Sequence, residues 1–326
     1  MSIKKMTGGG YTQLDILKFL LAILILLRHC GQALFENSSL FMRIMNIISP
    51  VGVPLFFAVS GFLFFQKKRD SEDLRKYVWR VLRLYLVWSL IYFPIVLLSY
   101  YKRNMLNVTG IVDYLQQFIF SGSYYHLWYL PSLITAIVLI YFISNRIDNK
   151  KLFVISVVLF IVGTLVGTYS HLSPLFSWSA YRKIFLTTRN GLFFGFPFVT
   201  IGKIIAENRY KTRYDMMLLS ILVMFVEGFY LAFIVKKPIV NMSISSLFFV
   251  PMVLILVINL RPLKVNGQLL RKASTLIFCV HPLVIVFVGH FIKGLTGTLT
   301  VLIVTVICSL IAVKLSERNK AINLLI

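Results

Sequence analysis

Apolar runs of about 20 residues recur from one end of this 326-residue chain to the other, and a run of that length crosses a bilayer as a helix. The polar breaks between them predict ten helices, near 14–35, 45–66, 78–100, 126–145, 152–170, 190–207, 215–235, 241–260, 274–292 and 295–315. Only helices and closed barrels satisfy their backbone in lipid, and runs this long are helical. The fold class predicted is therefore all-α: a polytopic transmembrane helical bundle of about ten spans. It forms a single membrane domain over 1–326, with short tails near 1–13 and 316–326. The first run is longer than a signal-peptide core and carries Arg28 and His29, so it reads as a span and not as a cleavable signal.

Charge orients the bundle. The formal net charge is +23, which in a soluble chain would suggest nucleic acid. Here no soluble domain is available to carry nucleic acid, and the basic residues follow the loops. With the N-terminus inside, 23 of the 34 Lys and Arg fall on inner segments, from Lys4 and Lys5 to Lys320, and 9 on outer ones. Lys18 and Arg28 lie within the first span. An inner excess of Lys and Arg is the topology signal of membrane proteins, so both termini are expected in the cytoplasm. Juxtamembrane cations also meet anionic lipid headgroups favourably. The asymmetry depends on the sixth span, which is short and Gly-rich and holds Lys203; without it the bias disappears.

Two outer connections, 101–125 and 171–189, are long enough for surface helices or lids. The second mixes Phe176, Trp178, Tyr181 and Phe185 with Arg182 and Lys183, a composition suited to the headgroup region. Cys30, Cys279 and Cys308 sit singly in apolar runs without metal-ligand spacing and read as packing residues. No metal site is expected.

Ionisable groups inside the spans change the picture most, because they are expensive in lipid and usually mark function. At about 100° per residue, Lys18 and His29 fall within about 20° of one another, and Asp15 about 60° from Lys18. His29 lies about 16 Å further along the helix than Lys18. Histidine serves as base or nucleophile near neutral pH, or as a buried hydrogen-bonding group between helices. Arg28 points elsewhere, towards another segment. Arg80 and Arg83 stand one turn apart where the third span begins, so both guanidinium groups face one anionic ligand such as a phosphate; the same pair also reads as topology charge. His126 opens the fourth span beside Trp128 and Tyr129, which suit a membrane interface. Glu227 lies towards the outer end of the seventh span, as a charge partner for a histidine or arginine. His281-Pro282 reads as a kink, and Ser60-Gly61 as a close-packing position.

Taken in order, these segments resemble the acyltransferase-3 family of integral membrane acyltransferases. The matching pieces are Leu14-Asp15-Ile16-Leu17-Lys18 followed by His29; Val53-Pro54-Leu55-Phe56-Phe57-Ala58-Val59-Ser60-Gly61-Phe62; Arg80-Val81-Leu82-Arg83; His126-Leu127-Trp128-Tyr129-Leu130; and Ser274 through His281-Pro282-Leu283. The resemblance implies a catalytic role for His29, and acyl-CoA contact at Arg80 and Arg83. Family members have Arg where this chain has Lys18, which keeps the charge but loses bidentate geometry. Thr187-Thr188-Arg189-Asn190-Gly191-Leu192-Phe193-Phe194-Gly195 also looks like the membrane half of vancomycin-resistance-type serine racemases of the same superfamily, without a counterpart of their soluble half.

The resemblance implies a bacterial cytoplasmic-membrane O-acyltransferase, most simply an O-acetyltransferase. Acyl-CoA, with acetyl-CoA the expected form, is the donor substrate, and no cofactor stays bound. The acceptor is a hydroxyl of a cell-envelope glycan or lipid-linked sugar. His29, Asp15 and His126 form the catalytic set, with His29 either general base or acyl carrier. Arg80, Arg83 and Lys18 contact acyl-CoA. Arg189, Asn190, Trp128, Tyr129 and Glu227 contact the acceptor. The alternative is a transporter or exporter of a small polar solute or glycan, whose pathway the same charges would line.

Overall fold

The computed structural model describes residues 11–36, 39–172 and 186–326, and every regular element among them is a helix. Lys4, Lys5 and the headgroup-type residues Phe176, Trp178, Tyr181, Arg182, Lys183 and Phe185 lie outside the described residues. The longer helices are α1 (Thr12–Leu34), α2 (Leu40–Ile48), α3 (Gly52–Phe65), α4 (Ser71–Lys102), α5 (Val108–Phe120), α6 (Tyr129–Ile143) and α7 (Asn149–Val166). They continue with α8 (Phe196–Glu207), α9 (Tyr214–Phe229), α10 (Ser246–Asn259), α11 (Gly267–Phe291) and α12 (Gly294–Ser316), and end on the short α13 (Lys320–Asn323). A helix therefore stands at each of the ten predicted positions. Among the described residues, six helical stretches are long and apolar enough to cross a membrane: Leu40–Phe65, Ser71–Lys102, Asn149–Val166, Tyr214–Ile234, Gly267–Phe291 and Gly294–Ser316.

Local sequence explains where helices begin. Asp70, Asn107, Asp148 and Asn266 each accept a backbone N–H from three residues on, satisfying a donor that the first turn leaves without a partner. The 101–125 connection contains α5, whose Val108, Ile111, Val112, Leu115 and Ile119 form an exposed apolar stripe at helical spacing. On its other face Asp113 accepts from Tyr100 at 2.6 Å and from Gln117 at 2.7 Å.

The core is built on α3 and α8, which pack closely. A Cβ at Gly61 would collide with the Val199 carbonyl, and one at Gly202 with the Ala58 carbonyl. Small residues let two backbones approach in this way. Gly202→Ala should therefore lower stability by about 1–3 kcal/mol through overpacking, read as a lower thermal midpoint in detergent. Gly52→Ala, whose Cβ would meet Ile25 at 3.5 Å and Leu24 at 3.8 Å, both ordinary contacts, should be nearly neutral. Equal midpoints for the two variants would mean that α3 and α8 are not this close.

One predicted helix is shorter than expected. The eighth, placed at 241–260, begins only at Ser246, and 236–245 is not helical. Its apolar composition suggests a span, yet its backbone is satisfied from a distance. Arg28 donates to the Val240 carbonyl at 2.8 Å and to Ser49 Oγ at 2.6 Å. Asn46 accepts from Val240 N at 3.1 Å and donates to the Lys237 and Pro238 carbonyls. Glu227 accepts from Ile244 N at 2.6 Å and Ser245 N at 2.7 Å. Irregular backbone within a membrane protein is tolerated where protein groups satisfy it, and the side chains of Arg28, Asn46 and Glu227 do so here.

Candidate active site

Helices α1 and α11 run side by side in the same direction, joined at two levels. At the first, Arg271 holds Asp15 with two hydrogen bonds of 2.9 and 3.0 Å. At the second, His29 Nδ1 lies 2.7 Å from His281 Nε2, with the ring planes 3° from parallel. Pro282 has no N–H for the Phe278 carbonyl, and the His281 ring faces the Ile277 and Phe278 carbonyls, with Nδ1 at 2.9 Å from the Ile277 oxygen.

That contact fixes the tautomers. A carbonyl only accepts, so His281 Nδ1 carries the proton and, in a neutral ring, its Nε2 carries the lone pair. His29 Nδ1–H must then be the donor across the 2.7 Å contact. His29 Nε2 is left with its lone pair free. The assignment follows from the hydrogen-bond network, and it leaves a basic nitrogen on a side chain that is only partly buried.

Aromatic groups close around the pair. Tyr125 meets His29 edge-on at 5.1 Å, and His126 meets His281 at 5.4 Å. His281 and His126 are fully buried, at 0% and 1% exposure. Neither nitrogen of His126 makes a hydrogen bond of good geometry, although the Cys279 carbonyl lies close by and accepts from Tyr92 at 2.7 Å. The 121–128 turn that carries His126 is pinned at Ser123, bonded to Ser89 at 2.6 Å and to the Tyr85 hydroxyl at 2.9 Å. It reverses at Gly122, whose φ of +86° disfavours other residues. Three histidines separated by up to 252 positions thus form one cluster.

Asp15 does not join them. It lies 14 residues before His29, about 21 Å along the helix, and both its oxygens are held by Arg271. Expected in the catalytic set, it ties α1 to the start of α11. The half-buried Lys18 lies within electrostatic reach of Asp15, Arg271 and Arg80, so the cations of three helices gather at this level. Arg80 sits over the Tyr77 ring at 5.2 Å, and Arg83 Nε is buried without a partner. Between this cluster and the histidines, the hydroxyls of Tyr77 and Tyr129 both reach Ser60, the latter at 3.2 Å. Tyr129 then meets the Phe278 ring at 5.7 Å.

The expected acceptor contacts separate into two kinds. Arg189 lies over the Trp128 ring at 5.4 Å and donates to Asn241 at 3.4 Å. It has no acidic partner among the described residues, and burial lowers its pKa below the ordinary value. Asn190 and Glu227, by contrast, serve the backbone. Asn190 accepts from Leu192 N and Phe193 N at 3.0 Å each, capping the π-helical turn Gly191–Gly195 that leads into α8. Glu227 accepts from the Tyr169 hydroxyl besides Ile244 N and Ser245 N. The side-chain oxygens of both are engaged by hydrogen-bond donors, whereas Arg189 and Trp128 meet each other. His281 and Arg271 carry more of the site than their sequence positions suggest. Among the described residues no group of three or more His, Cys, Asp or Glu is placed to hold a metal ion.

A family model described as an acyltransferase domain matches residues 11–314. An amino-acid racemase of Enterococcus faecalis is 31% identical over 213 residues, 63% of this chain and 29% of that protein. A second amino-acid racemase of the same organism is 27% identical over 289 residues, covering 81% of this chain and 40% of its own. A serine/alanine racemase of Enterococcus gallinarum is 26% identical over 323 residues, 90% of this chain and 44% of its own. The chain thus spans less than half the length of these relatives. No solved structure matches it.

Proposed function

The chain belongs to the acyltransferase-domain family of membrane proteins, and we propose that it transfers an acyl group, as acetyl, from acyl-CoA to a hydroxyl of a cell-envelope carbohydrate. The observation that carries this reading is the free Nε2 of His29, held in that tautomer by His281. The acceptor hydroxyl gives its proton to Nε2 as its oxygen attacks the thioester carbonyl. The tetrahedral adduct then expels the CoA thiolate, which recovers the proton from His29. His126 lines the same cluster, next to His281.

The donor enters from the cytoplasm, where Arg80, Arg83 and Lys18 contact the anionic part of acyl-CoA. Support comes from the gathering of cations around Lys18 and from the buried, unpartnered Nε of Arg83. The Tyr77–Ser60–Tyr129 row gives the acyl end a lined route to His29. Topology follows the same scheme, with ten spans in the bacterial cytoplasmic membrane and both termini cytoplasmic. Parallel α1 and α11 support it, because an odd number of crossings must separate them. Ten spans put seven between, and removing the sixth would leave six.

Replacing Arg80 and Arg83 together by Ala should weaken acyl-CoA binding by about 1.5–3 kcal/mol for each charge-assisted hydrogen bond removed. Lys at either position should restore part of it. Calorimetric titration of acetyl-CoA into the protein in nanodiscs reads the change. Unaltered affinity at normal abundance would return both residues to topology charge.

A second reading draws on the relatives named as racemases. A chain spanning part of such proteins would handle an amino acid, with the intramembrane charges lining its path. That reading requires amino-acid flux without consumption of acyl-CoA.

A further inference from the structure

Between the turn after α7, the 186–189 segment and the non-helical 236–245 segment lies a cavity of about 190 Å³. Its polar lining includes the two cations Arg189 and Lys237, the Asn241 amide, and the hydroxyls of Thr168, Thr187 and Thr188. Arg189 uses one guanidinium nitrogen on Asn241 Oδ1, which turns the Asn241 oxygen away and leaves its amide N–H groups available. Thr168 Oγ1 accepts from Met242 N at 3.3 Å, so its hydroxyl proton remains to be given.

Nothing among the described residues neutralises these two cations. Neither Arg189 nor Lys237 forms an ion pair there. Glu227, on the neighbouring α9, has both oxygens occupied, and residues 173–185 contain no Asp or Glu. A half-buried Arg and a Lys facing one polar cavity without a carboxylate are stable there when an anion joins them. A guanidinium fork suits carboxylate and phosphate alike.

We infer that this cavity is a subsite for the anionic group of the molecule whose hydroxyl is acylated, so that the acceptor carries a carboxylate or phosphate. The inference rests on the acyl-transfer reading for the word acceptor, and on the cavity alone for the anion. Arg189 connects the two, since it lines the cavity and lies over the ring of Trp128, two residues from His126 of the histidine cluster. An acceptor held by its anion would thereby present a nearby hydroxyl to Nε2. Lys237 and Asn241 become specificity-determining residues.

The test is equilibrium binding without acyl-CoA, so that a failure of acyl transfer does not touch it. Full-length protein in phosphatidylcholine nanodiscs, free of anionic headgroups, is titrated with D-glucuronate, glucose 1-phosphate, L-serine and D-glucose. The first three each join a hydroxyl to an anionic group, and together they separate sugar acid, sugar phosphate and amino acid as the source. At least one of them should bind at least tenfold tighter than glucose. Arg189→Gln and Lys237→Gln should each weaken that ligand about tenfold, or about 1.4 kcal/mol. Asn241→Asp keeps the volume and places a carboxylate against Arg189, so it should abolish binding while raising the thermal midpoint of the ligand-free protein. Glucose binding as well as every anion would overturn the inference, whatever the variants do. Anion binding unchanged in Arg189→Gln and Asn241→Asp would overturn it equally.

Discussion

His29→Gln is expected to lower acyl transfer by about 10²- to 10⁴-fold, the usual contribution of a positioned general base, while the protein still folds and binds acyl-CoA. Gln has hydrogen-bonding capacity and no basic nitrogen, so the substitution separates the chemistry of the side chain from its place in the helix. His29 is only partly buried and, among the described residues, its side chain hydrogen-bonds to His281 alone, so little of the bundle depends on it for packing. His29→Ala should match Gln in activity. Transfer rates measured on protein purified to the same abundance, with acetyl-CoA affinity determined alongside, decide the matter. Near-normal turnover by the Gln variant would exclude both proton abstraction and covalent carriage by His29, and attention would move to His126.

His281→Phe is expected to reduce turnover on the order of 10²-fold without weakening acyl-CoA binding, as when the orienting partner of a catalytic histidine is removed. His281 is a positioning residue. Its Nε2 accepts from His29 and so holds the proton on Nδ1, away from the working nitrogen. Phe fills the same buried space among Phe278, His126 and His29 but accepts nothing. His29 is then free to take the tautomer with its proton on Nε2. Rescue distinguishes this from a packing defect: Gln places an amide oxygen near the position of Nε2, and His281→Gln should recover much of the activity that Phe loses. A Phe variant as active as the wild type, or a Gln variant no better than Phe, would remove His281 from the mechanism.

Much of the fold was legible because lipid imposes simple rules. Apolar runs, their lengths and their polar breaks placed a helix at every predicted position, although the caps at Asn266 and Asp148 start two of them at Gly267 and Asn149, earlier than the expected 274 and 152. The 236–245 segment was not legible, since Ile239, Val240, Met242 and Ile244 carry the same hydropathy in a helix or out of one. What distinguishes them is hydrogen bonding from Arg28, Asn46 and Glu227, up to 212 positions away. The site divides in the same way. The shared face of Asp15, Lys18 and His29 is a local property of one helix, and Arg28 pointing elsewhere follows from the same geometry. The partners are not local. That Asp15 would face Arg271, that His281 would orient His29 and not merely precede a kink at Pro282, and that Asn190 and Glu227 would be occupied by backbone N–H groups all depend on which helices meet.

The acyl-transfer reading is tested most directly by purified protein reconstituted in liposomes with radiolabelled acetyl-CoA on the Arg80 side and envelope-derived lipid-linked saccharides in the bilayer. Label should leave acetyl-CoA and appear on the saccharide, at a rate that falls with His29→Gln and with no label retained on the protein. Label retained on His29 would replace direct transfer by a covalent acyl carrier. Acetyl-CoA left intact with every saccharide supplied, while the same liposomes take up a labelled amino acid, would contradict acyl transfer and leave the solute pathway standing.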